Sequence, residues 1–107
     1  MPKQPPQVSK AFALFLKEAP THAKAWGGVV QELSNATALE PKTAHLAYIA
    51  VLAALRLESG VPFHVQLAKG AGASRDEVMS AVLLGLPAAG NAVIQSLPAA
   101  LAAYEEV

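Results

Sequence analysis

The stretch LEPKTAHLAYIAVLAALRLESGVPFHVQLAKGAGASRDEVMSAVLLGLPAAG, residues 39–90, decides the fold. Pro41 suits the first position of a helix, where no N–H is needed, and Glu40 ahead of it places an anion at the positive end of the helix dipole. The residues after it, to about position 57, are apolar almost all round, so this third helix is expected to be central. Ser59-Gly60 breaks it. A short fourth helix starts near Pro62 and stops in Gly70-Ala71-Gly72, with Gly72 as the residue just past the end. Ser74-Arg75-Asp76-Glu77 is a capping box, and Val78, Val82 and Leu83 follow it at helical spacing. No segment alternates with the period of a strand, so the chain reads as all-α.

Upstream, Ser9 caps a first helix with Phe12, Phe15 and Leu16 on one face, and Pro20 closes it. Thr21 is expected to cap a second helix reaching about Leu33, striped by Trp26, Val29, Val30 and Leu33, with a loop over 34–37. Downstream, Gly85, Pro87 and Gly90 interrupt the fifth helix. A sixth spans roughly 91–105, and Pro98 inside it should kink or divide it. Residues 1–8 form a proline-rich extended leader. The whole chain, 1–107, reads as a single domain, with residues 39–90 as its central motif region.

Eight Lys and Arg balance eight Asp and Glu over 107 residues. That neutrality excludes an electrostatic attraction to nucleic-acid phosphates or to an anionic membrane. No apolar run is long enough to span a bilayer and no targeting segment stands out, so a cytoplasmic address is expected. Charged residues make up 15 % of the chain, against roughly 25 % in an ordinary soluble domain. Apolar residues make up 53 % and alanine alone about a fifth. So little polar surface points to an interface buried between copies of the chain. The small-residue region around Ala81, Leu84, Ala88, Ala92 and Ile94 is the natural place for close helix approach. There is no cysteine, which excludes disulfides, thiolate metal sites and thiol redox chemistry.

The order Leu39-Glu40-Pro41-Lys42-Thr43, an alanine-rich helix, His64 on a short helix, then Ala68 and Ala73-Ser74-Arg75-Asp76-Glu77-Val78, with Gly90 beyond, resembles the carboxymuconolactone decarboxylase and alkylhydroperoxidase D superfamily. The resemblance implies an all-α fold of the alkylhydroperoxidase D type with a central antiparallel helix hairpin. It also implies self-assembly into a homo-trimer or homo-hexamer. Redox members of the superfamily carry a Glu, two Cys and a His at fixed spacing. Placed on this chain, the His is His64, the Cys positions hold Leu57 and Gly60, and the Glu position holds His45. Peroxidase or disulfide-reductase chemistry therefore has no thiolate to run on. The decarboxylase branch usually carries an acid where this chain has Gly60, and that acid is missing too.

His64 lies near a helix N-terminus, whose dipole disfavours the imidazolium, so a neutral ring able to serve as a general base is expected. His45 and Tyr48 sit one helical turn apart on the third helix. A reversal near Ser59 puts Tyr48 closer than His45 to His64, with His45 roughly 9–14 Å down the helix at 1.5 Å per residue. His45, Tyr48 and His64 are the candidate catalytic cluster. His45 and His64 could also present two imidazoles to a transition metal, although no cofactor is called for. Tyr48 has the plainer reading of a core residue whose hydroxyl finds one partner. Glu58 reads as a solvated charge at a helix end within reach of the pocket mouth. Trp26 and Phe63 read as core or pocket wall, and His22 as a surface residue. Arg56 and Lys42 are cations that could attract a carboxylate. Two functions fit: a non-redox lyase or isomerase acting on a small carboxylate or lactone with His64 as base, or a catalytically inactive oligomeric binding or scaffold protein.

Overall fold

The computed structural model describes residues 8–106. The leader expected over 1–8 therefore lies, Val8 apart, outside the described residues. Among those residues every regular element is helical and no strand occurs.

Helix α1, Lys10–Glu18, begins where the Phe12 N–H donates to Ser9 Oγ at 3.1 Å. Helix α2, Pro20–Ala36, starts one residue before the expected cap at Thr21: Pro20 takes the first turn and Ala19 is the cap. It also takes in residues 34–36 of the loop expected over 34–37. Asn35 lies within it and accepts a hydrogen bond from Gln31 Nε2, one turn back, at 3.2 Å. Residues 37–40 then turn the chain, with the Leu39 N–H on Thr37 Oγ1.

Helix α3, Pro41–Ala54, is capped by the Glu40 carboxylate, which accepts from the backbone and hydroxyl of Thr43. It stops earlier than the expected position 57. Arg56 adopts φ +60°, its N–H donates to the Ala53 carbonyl, and the Leu57 N–H reaches back to the Leu52 carbonyl at 2.9 Å. This is the Schellman closure, normally made with glycine in the left-handed position. A 3₁₀ turn over Glu58–Gly60 leads into α4, Val61–Gly70. The end of α4 repeats the closure with a glycine: Gly72 sits at φ +99° and the Ala73 N–H donates to the Ala68 carbonyl. Helix α5, Arg75–Leu83, carries both halves of the Ser74/Glu77 capping box.

Two one-turn helices follow, α6 over Leu86–Ala89 and α7 over Asn91–Ile94, then α8 over Leu97–Glu105. The expected sixth helix is thus divided. Pro98 falls in the first turn of α8, where its missing N–H costs nothing.

The core forms where α3 packs against α4, α5 and α7 while α8 closes over α4 and α5. Its fully buried side chains include Ile49, Val61, Val65, Val78, Val82 and Val93. Polar straps hold α8 in place. Lys69 Nζ donates to the Tyr104 and Glu106 carbonyls, Gln66 donates to the Ala103 carbonyl, and the Tyr104 hydroxyl donates to the Ala73 carbonyl. Helix α3 is central, as its composition suggests, yet only one side of it is covered. Ile49, Leu52 and Ala53 are buried, whereas Tyr48, Val51 and Leu55 are exposed. Helices α1 and α2 pack on each other, and neither contains a buried residue. No helix among the described residues is long and apolar enough to cross a membrane.

Candidate functional site

The α3–α4 hairpin brings Tyr48 and His64 together. The 3₁₀ turn at Glu58–Gly60 folds the chain back, and Val61 opens α4 with Pro62 in its first turn, so that His64 is its fourth residue. The Tyr48 and His64 rings lie 4.4 Å apart between centroids at 48°. Phe63 meets the same imidazole edge-on at 5.3 Å and 88°. His64 is thus clamped between a ring from the neighbouring helix and a ring from its own, an offset geometry that aromatic quadrupoles favour.

His45 makes no ring contact with His64. Its charge is felt there all the same: burial first, and the positive charge of His45 second, hold the His64 imidazole below the usual histidine range. Both effects penalise the imidazolium. His64 is about half-buried, and neither of its ring nitrogens has a hydrogen-bond partner among the described residues. The arrangement is an imidazole biased toward its neutral form, set against one tilted and one edge-on aromatic ring, with no orienting carboxylate among the described residues. Tyr48 departs from the core reading: it is 48 % exposed. Val51 on α3 and Leu55 at its C-cap continue this face toward the helix end, so the site opens onto an apolar surface.

The other candidates are engaged elsewhere. Arg56 Nε donates to Glu58 at 2.9 Å, so this cation and this carboxylate satisfy each other at the rim of the hairpin. Lys42 bonds Glu77 at 3.1 Å, joining the N-terminal ends of α3 and α5. Neither cation is therefore available as a simple carboxylate anchor. Leu57 and Gly60, where thiols would sit in a redox relative, bracket the 3₁₀ turn and are joined by the Gly60 N–H to Leu57 carbonyl bond of 3.0 Å. Among the described residues no three His, Asp or Glu side chains cluster as metal ligands, so His45 and His64 have no third partner. A concavity of about 690 Å³ lies away from His64, between α1 and α2, and His22 and Trp26 are among its walls. The edge-on role of Phe63 toward His64 was not legible from spacing, because adjacent residues on a helix do not normally share a face.

A model of the family described as "Carboxymuconolactone decarboxylase family" matches residues 20–106. No match emerged among curated proteins or solved structures.

Proposed function

Because the chain belongs to the carboxymuconolactone decarboxylase family, we propose that it is a non-redox lyase or isomerase acting on a small carboxylate or lactone, with His64 as general base. The observation that supports this reading most is the state of His64. A general base must be unprotonated at working pH and must have a nitrogen free to take the proton. Two features of His64 support this: burial and His45 depress its basicity, and no described residue hydrogen-bonds its ring nitrogens. In this reading the imidazole accepts a proton from the carbon next to the substrate carbonyl. The Tyr48 hydroxyl donates to the oxygen on which charge develops, and His45 positions the substrate carboxylate. The chain has no cysteine, so thiol-coupled peroxide reduction is no part of the proposal. Assembly into a homo-oligomer, a trimer or hexamer, accompanies it.

The test is turnover of carboxymuconolactone and a panel of small lactones and unsaturated carboxylic acids, followed by ultraviolet absorbance. Wild type should turn over at least one substrate, and His64→Gln should lower kcat by about 10²–10⁴-fold, the usual contribution of a positioned base. Turnover unchanged in His64→Gln would overturn the assignment.

One observation favours a second reading, a binding or scaffold protein without turnover: no carboxylate orients His64, and its neighbours are aromatic. That reading expects ligands from the same panel to raise the melting temperature while no substrate is consumed.

A further inference from the structure

We propose that the α1–α2 arm of one copy docks in the groove between α3 and α5 of a second copy. This rests on the self-association proposed above and names the surfaces that carry it.

The arm has no core of its own. Phe12, Leu16, Trp26, Val30 and Leu33 are all exposed, Leu33 by 65 %. The surface total points the same way. The chain exposes 7221 Å², against roughly 5,700 Å² for a compact monomer of this size. Half of that excess would already match the ~800 Å² that each partner contributes to a standard interface.

The groove is the complementary feature. It holds about 450 Å³ between α3 and α5, and Leu46, Ala47, Ala81 and Leu84 form its apolar floor and lip. Leu84 is 70 % exposed, the most open of the exposed large apolar side chains. A helix laying an apolar stripe into such a groove is a recurrent mode of recognition. Charge agrees with this pairing. Asp76 and Glu77 lie at the groove edge, and Asp76 has no ion-pair partner among the described residues. The arm brings Lys10, Lys17 and Lys24 against its own Glu18 and Glu32, a net positive charge.

The tether argues against a chain filling its own groove. Residues 37–40 are held at both ends, by the Leu39 N–H on Thr37 Oγ1 and by the Glu40 cap on α3. A chain filling its own groove would have to rearrange this connection. A second copy satisfies one arm and one groove per chain by exchange, in a closed symmetric assembly.

The absence of native cysteine makes the test direct. Leu33→Cys and Leu84→Cys each replace an exposed side chain, so both variants should fold as wild type, checked by circular dichroism. The two are mixed, allowed to exchange subunits and treated with a short bis-maleimide. A 33–84 cross-link between two chains is the expected product, and adding Trp26→Asp to the Leu33→Cys chain should reduce its yield at least tenfold. Sedimentation of wild type at about 100 μM should show an oligomer. A monomer there overturns both the inference and the self-association. An oligomer that yields only 33–33 cross-links, or none, overturns the docking alone. A double variant that cross-links within one chain overturns it in favour of intramolecular closure.

Discussion

His64 is a base whose ordinary value of about 6.5 is pulled down on folding, by burial first and by His45 second. The unfolded chain therefore binds more protons than the folded one between the depressed value and about 6.5, and stability rises with pH across that window. The contribution is fully present above pH 6.5 and is lost as pH falls through the folded value. Thermal melts from pH 8 to 5 should show this loss, and His64→Gln should flatten it. Glu77 adds a second contribution on the acid side. Its hydrogen bond from the Ser74 backbone, then the bond from Lys42, hold it below the usual carboxylate range, so its contribution is present above that range and is lost as pH falls through the lowered value. In the proposed reaction, with His64 as base, the same protonation should appear as an acid limb in kcat/KM with a midpoint below 6.5, moved upward by His45→Asn, which removes the neighbouring charge. Ser96 makes a different residue-scale case. It is fully buried, and its hydroxyl has no hydrogen-bond partner among the described residues. An unsatisfied buried hydroxyl costs about 1–3 kcal/mol, so Ser96→Ala should be neutral or stabilising by up to about 1 kcal/mol in urea unfolding, where truncation of a bonded serine would destabilise.

At the scale of elements, local chemistry reads easily from sequence and borrowed conformations do not. The Ser74/Glu77 box was legible because both its bonds lie within four consecutive residues. The end of α3 was not, because Arg56 occupies the left-handed position where the usual signal is glycine, and Gly60 drew the expected boundary downstream. The Tyr48–His64 pairing was legible as a hairpin register. The engagement of Arg56 by Glu58 and of Lys42 by Glu77 was not, since charge pairs leave no periodic trace. Gly90 joins α6 to α7 at φ +60°, ψ −137°, a region open almost solely to glycine. A Cβ there meets nothing within 4 Å, so a substitution would be penalised by the backbone and not by a clash. Gly90→Ala should destabilise by about 1–3 kcal/mol with the urea m-value unchanged. A loss no larger than that of a surface substitution would mean the junction relaxes into an ordinary turn.

Over the whole molecule, hydrophobic patterning says that a face is buried and is silent about what covers it. Trp26, Val29, Val30 and Leu33 form the stripe that periodicity predicts, yet all four are exposed. The same holds for Val51, Leu55 and Leu84 on the other half of the chain. The radius of gyration, 14.2 Å, exceeds the roughly 13 Å of a compact chain of this length, as a projecting arm requires. The low charge and high alanine of the sequence are thus matched by apolar surface left open on both the arm and the core. If that surface is covered by other copies, folding and association are linked, and mass action sets the apparent stability. The melting temperature should then rise steadily as chain concentration increases from about 1 to 100 μM. In Trp26→Asp the dependence should vanish, leaving the core helices α3, α4, α5 and α8 to melt at a lower, concentration-independent temperature. A wild-type melting temperature that does not move over that range would show that the core reaches its full stability in the single chain and that the arm contributes nothing to it.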